Sequence, residues 1–273
     1  TDEFRRVQEA SRKLSQEQIS RMRERLSEDD KRRLGGLLGR QLDTARNGGR
    51  YNLRTSLTYT KRNGKVSTFN IGDVDPQLFH DIFEIVRTYL KNGELVDLHD
   101  DYSDAKCFIT SDGLAGFAIE PDGNLVSVFS LNPKENGGFF YAIKDMVREE
   151  GATHLDAYAS DKQPLQEIYS KTLGFHTAAT MDYNMEYDHD NIAKNHGNPQ
   201  VVFMVDHEVA EPKHFDKGSY DAAQQYQLQQ LKESETEVIN PSFPEGQTQK
   251  VSLPGYEYFN ELYDETPVDA AWK

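Results

Sequence analysis

The chain is 273 residues long, carries a net charge of −15, and has one cysteine and a mean hydropathy of −0.77. Cys107 alone excludes an internal disulfide and a cysteine-only metal site, and no apolar run approaches the roughly 18–20 residues of a membrane-spanning helix. An acidic body speaks against nucleic-acid binding, and the low hydropathy predicts that part of the chain stays solvated.

The charge divides the chain into three. Residues 1–50 hold 13 bases against 9 acids, residues 51–205 hold 13 against 23, and residues 206–273 hold 5 against 14. A helical extension (1–50), one core domain (51–205) and an acidic, Pro/Gln-rich tail (206–273) are expected. One unpaired cysteine and the lack of a signal-peptide pattern fit a reducing compartment, so a cytoplasmic location is expected, or a virion-associated one if the chain is phage-encoded.

In residues 1–47, Phe4, Val7, Leu14, Ile19, Met22, Leu26, Leu34, Leu37, Leu38 and Leu42 recur at helical spacing. Ser15-x-x-Gln18 and Ser27-x-x-Asp30 read as capping starts. Two or three amphipathic helices are expected, packed on the domain or on a second copy. Thr55–Thr60 and Lys65–Ile71 flank an Asn-Gly turn and predict a β-hairpin. Asp75-Pro76 opens a helix, because proline suits a first helical turn and Leu78, Phe79, Ile82, Phe83, Val86 and Leu90 come after it at helical spacing.

The loop 98–104 gathers His99, Asp100, Asp101 and Asp104, but the glycine and terminal glutamate of a calcium loop are missing, so a solvated loop is expected. Ala105–Thr110, Leu114–Glu120 and Leu125–Leu131 predict three antiparallel strands joined by tight turns. A helix over 138–150, a strand over 152–158, a helix from Leu165 to Lys171 and a strand from Phe175 come next. Strand, helix, strand in that span predicts a crossover and a parallel pair within a mostly antiparallel sheet. Met185–Gln200, with His189 and His196, reads as an exposed polar loop rather than a metal site, and no metal is expected. Val201–Val205 is a last core strand. Tyr220–Leu231 has a helical pattern, and the aromatic stretch 254–264 predicts docking on the domain or a partner.

Val128-Phe-Ser-Leu-Asn-Pro133, the glycine pair Gly137-Gly138, Leu155-Asp-Ala-Tyr158 and Ile168-Tyr-Ser-Lys-Thr-Leu-Gly-Phe175 occur in that order. With them, residues 51–205 resemble the GNAT (Gcn5-related N-acetyltransferase) superfamily, especially the divergent GNAT-like domains of phage and mobile-element proteins. The resemblance implies an α/β (α+β) fold, acetyl-CoA held in a splay between two parallel strands, and pyrophosphate bound at the start of the central helix. It places cofactor contacts at Leu131, Asn132, Asn136, Gly137 and Gly138, and makes Tyr169 the candidate acid. The loop departs from the family's form, since Phe139 or Phe140 stands where a small residue is usual. For the base, strand 125–131 offers no carboxylate, which leaves Glu120, His154 and Asp156. Two functions are therefore carried forward: an N-acetyltransferase acting on an amine of a protein or small molecule, or a non-catalytic interaction module that assembles through residues 1–47 and 254–273.

Overall fold

The computed structural model describes residues 1–61, 63–131, 138–160, 164–184, 196–197 and 199–237. Residues 1–231 form one compact unit, which holds both sheets, and residues 232–273 are a second segment. The fold is mixed α+β, with a mostly antiparallel sheet arrangement and one hydrogen-bonded parallel pair.

Three helices lead: α1 (Asp2–Arg12), α2 (Gln16–Arg25) and α3 (Glu28–Asn47). Both expected capping boxes form, at Ser15/Gln18 and Ser27/Asp30, so two orphan helix-start donors are satisfied by side chains at each. These helices spend their apolar face within the chain. Phe4, Leu34, Leu37, Leu38, Leu42 and Ala45 share one buried cluster with α4 (Pro76–Tyr89). Polar clips fix α1 on α4: Gln8 donates to Asp81 and Glu84 at 2.9 and 3.0 Å, and Arg12 forks onto Glu84 at 2.7 and 2.8 Å.

The hairpin β1 (Tyr51–Thr60) and β2 (Val66–Val74) is followed by α4, capped by the Asp75 side chain, and then by β3 (Lys106–Thr110), β4 (Ala115–Ile119) and β5 (Leu125–Ser130). These strands form an antiparallel sheet in sequence order. Helix α4 buries Leu78, Phe79, Ile82, Phe83, Ile85 and Val86 against one face. At about 1.5–3 kcal/mol for each large side chain, that face is a major source of stability.

The expected central helix is two short ones, α5 (Phe139–Ala142) and α6 (Lys144–Glu149), with Phe139, Ile143, Met146 and Val147 inward. Then come β6 (His154–Ala159), α7 (Leu165–Leu173), β7 (His176–Asp182) and β8 (Gln200–Val205). Gly174 ends α7 in the left-handed conformation, φ 75°. The crossover does make β6 and β7 run in the same direction, but β8 lies antiparallel between them. The hydrogen-bonded parallel pair is β7 with β9 (Lys213–Phe215).

Part of the acidic segment after Val205 belongs to the core. β9 extends the second sheet, and α8 (Tyr220–Glu237) buries Ala223 and Gln227 on it, at 0% and 1% exposure. Low hydropathy hid this, because the anchoring side chains are an alanine, a glutamine and tyrosines. The aromatic stretch 254–264 lies outside the described residues. Among the described residues no helix is long and apolar enough to cross a membrane.

Candidate functional site

Among the described residues one backbone bridge joins the two sheets. The turn after β4 places Gly123 at φ 91°, where a Cβ would fall 2.6 Å from Thr153 Oγ1. Only glycine permits this approach. It lets the Thr153 amide donate to Gly123 O at 2.9 Å and Asn124 make a single parallel bridge with His154. His154 is buried, with Nδ1 3.1 Å from Thr153 Oγ1; burial pushes its pKa down, against the pull of Asp122. That makes His154 a neutral part of the joint. Beyond it β5 pairs with β4 and β6 with β8, so among the described residues the two strands run alongside each other without a ladder.

Along this unpaired stretch β5 bulges. Gly116 pairs with Phe129 and Ala118 with Val126, so β5 carries one extra residue. Within the bulge Ser127 takes φ 51°, a left-handed conformation that costs a non-glycine residue about 1–2 kcal/mol. Its hydroxyl is 2.6 Å from Tyr102 Oη and donates to Asp97 O at 2.8 Å, which holds it there.

Strand alternation sets the two faces of the sheet at β6. Leu155, Ala157 and Ala159 of β6 face the cluster containing α5, α6 and α7, so Asp156 and Tyr158 face the other way. Tyr169 of α7 lies on the first side, buried, with the Phe140 ring 6.1 Å away. Burial, then the charges of Asp156 and Asp97, push its phenol pKa upward, so it stays protonated.

Asp156 lies on the second side. Burial and then Asp97 raise its carboxyl to about 6, against a hydrogen bond with Tyr220 and the influence of His99, while Glu120 adds to the rise. Glu120 itself is occupied: Asn124 Nδ2 donates to it at 2.9 Å, and His99 Nδ1 lies 3.3 Å away, its ring stacked on Tyr102 at 5.5 Å. The loop 98–104 is thus not wholly solvated, since Tyr102 is 3% exposed and His99 turns toward Glu120. The structure gathers Asp156, Glu120, Asp97, His99 and Tyr220 near one face of the sheet at β6, with Tyr169 on the other.

No protein-family model, curated protein or solved structure matches the chain.

Of the residues expected to hold a cofactor, Asn132, Asn136 and Gly137 lie outside the described residues. Leu131 is buried with α4, and its amide donates to Leu114 O at 2.8 Å. Gly138 precedes the four-residue α5, and a Cβ on it would fall 1.9 Å from Tyr59 Cδ1. The Tyr59 ring, stacked on Tyr141 at 5.1 Å, occupies the space that this glycine leaves. Phe139 points into the core against Phe69 and Phe140 packs against the same cluster.

Other chemistry-bearing groupings among the described residues lie away from this site, and His80 Nδ1 and Ser130 Oγ in them are buried without a hydrogen-bond partner. His80, Asp81 and Glu84 are spaced for a cation, but Gln8 and Arg12 already engage both carboxylates. His196, expected in an exposed loop, is 6% exposed, with Nε2 2.9 Å from Glu94. Two hollows, one at Thr68–Asn70 with Asp112 and Ser130 and one at Asp75–Gln77 with His80 and Tyr102, are lined by neither Asp156 nor Tyr169.

Three members of the central group escape a reading of the sequence. Ser127 gives a faint signal, a hydroxyl inside an apolar strand run. Asp97 and Tyr220 give none, because they come from segments 59 and 64 positions from Asp156 in opposite directions along the chain.

Proposed function

We propose that the chain is a GNAT-like N-acyltransferase, moving an acyl group from a CoA thioester such as acetyl-CoA to an amine of a protein or small molecule. The observation that carries this reading is the placement of Asp156 and Tyr169 on opposite faces of the sheet at β6, the strand next to β5, with burial raising the pKa of both groups. The strand order supports it. Five antiparallel strands, then β6–β8–β7, joined by one parallel bridge, leave β5 and β6 as parallel neighbours without a ladder among the described residues, and the resembled family holds its thioester between two such strands.

The chemistry rests on these residues. Asp97, Glu120 and Asp156 give the second side a negative potential that draws an ammonium group. Asp156 takes the amine's proton, and a base with pKa near the working pH is well matched to that step. As the new N–C bond forms and the C–S bond breaks, Tyr169 gives its proton to the leaving thiolate, and the second proton released from the acylated nitrogen restores the phenol through solvent. Asp156 is the better base of the two carboxylates because Asn124 and His99 already engage Glu120.

One observation favours the second reading, a non-catalytic interaction module: Tyr59 fills the space beside Gly138, where the family's phosphates would approach main chain. Calorimetry with acetyl-CoA separates the two. Binding followed by turnover of an amine supports the enzyme; no heat at millimolar acetyl-CoA sinks it. Gly138→Ala tests the packing role of the glycine independently. The added methyl should cost about 1–3 kcal/mol of stability by overpacking, and Tyr59→Ala in the same chain should recover much of that.

A further inference from the structure

We propose that Tyr220, at the start of α8, is a positioning residue of the acyl-transfer centre, holding the Asp156 carboxylate of β6 in place through its phenol. The inference rests on the N-acyltransferase reading for its catalytic meaning, while the contact itself does not depend on it.

Helix α8 is built to deliver this one side chain. Tyr220, Ala223 and Gln227 are spaced at intervals of three and four and share a helix face. Ala223 and Gln227 are buried against the second sheet. The Gln227 amide donates to Leu155 O and Met204 O, both at 2.8 Å. Leu155 and Met204 are partners across β6 and β8, and the next pair along is Asp156 with Phe203. Gln227 therefore pins the helix to both strands one residue from Asp156, using the second lone pairs of two backbone carbonyls.

The Tyr220 ring then packs edge-on against Phe203, centroids 5.2 Å apart, beside the strand position of Asp156. Because Phe203 is the cross-strand partner of Asp156, this places the phenol beside the carboxyl, where it works against the rise that burial causes. A carboxylate at this position needs such a donor. The titratable groups that act on Asp156 are Asp97 and His99 from the segment before β3, Glu120 from the end of β4 and Tyr220 from α8, with Tyr169 of α7 across the sheet. Two of the five are carboxylates that repel it, and His99 is shared with Glu120. Tyr220 is the donor that comes from outside residues 51–205, so the segment after β8 contributes to the site.

The test is a carboxyl-carbon NMR titration of Asp156 in the full chain, run beside the pH dependence of kcat/KM with acetyl-CoA. Tyr220→Phe keeps the ring on Phe203 and removes the donor. It should raise the Asp156 midpoint by about half a pH unit or more, move the acid limb of the rate profile up by the same amount, and lower kcat/KM roughly tenfold with acetyl-CoA KM unchanged. Placing 2,3-difluorotyrosine at position 220, a stronger donor below its own pKa, should move the midpoint down instead; a purely structural role would not give opposite shifts. An unmoved midpoint in both proteins overturns the proposal. If the midpoint moves as expected in a chain that turns over no acyl thioester, the acyl-transfer reading is overturned and the contact stands.

Discussion

Two groups of partly buried charge in the 1–231 unit are built on opposite rules. In the first, Glu94 receives Arg23 at 2.5 Å and His196 at 2.9 Å, and Arg23 also donates to the Thr88 and Arg87 carbonyls at 3.1 Å each. Burial works to raise the Glu94 carboxyl, but His196, its own backbone amide and Arg23 outweigh it and bring the pKa down to about 2. In the second, Asp156 is half-buried near Asp97 and Glu120 and is raised to about 6. One carboxylate is surrounded by donors, the other has two carboxylates among its neighbours. A fully paired ion group ties α2, the end of α4 and the approach to β8 together, whereas a like-charged group left in tension is what the proposed acyl-transfer site would need.

The strongest way to break this comparison is Asp156→Asn. If Asp156 is the base, turnover should fall by about 100- to 10,000-fold with little change in acetyl-CoA binding, measured by steady-state kinetics and calorimetry. An active Asn variant would leave the tension without a function.

Next in size is Glu94→Gln, which leaves Arg23 and His196 without their anion. It should cost about 3–5 kcal/mol in a denaturant titration at neutral pH. The depressed carboxyl sets the sign with pH. The Glu94 contribution is present above the unfolded value of 4.5 and lost as pH falls from there toward about 2, so the variant's stability should fall less steeply than the parent's across that window.

The same Asp156→Asn protein sharpens the contrast through stability. A raised carboxyl binds more protons folded than unfolded, so its cost appears as pH rises from 3.8 through about 6 and persists above. Removing it should stabilise the chain at pH 7 by about 1–2 kcal/mol, the reverse of Glu94→Gln, and leave no difference well below pH 4. The smallest effect is expected at Glu120→Gln. Taking away one repelling charge should lower the Asp156 midpoint by a few tenths of a pH unit, read by the same carboxyl-carbon titration.

The elements were legible because they are written locally. Ser15 and Ser27 start helices through their own capping boxes, Asn63-Gly64 turns a hairpin, Pro76 opens α4 and Gly174 closes α7, each decided by residues within one turn of the chain. The site was legible only in part. Tyr169, Glu120 and Asp156 could be named as candidates, but not placed on the two faces of the sheet at β6. His196 looked like a loop residue because nothing in its neighbourhood announces Glu94, 102 positions away.

By itself, then, the sequence determined the order and kind of the elements, the three charge segments and a short list of groups able to move a proton. Capping, turn geometry and hydrophobic period all act over a few residues. Only the tertiary structure decided that β8 enters between β6 and β7, that Tyr59 takes the space beside Gly138, and that α8 brings Tyr220 to Asp156. The physical reason is common to all three. Sheet order, close approach and the pKa of a buried carboxyl depend on which distant side chains share a volume from which water is excluded, and that is settled when the core closes.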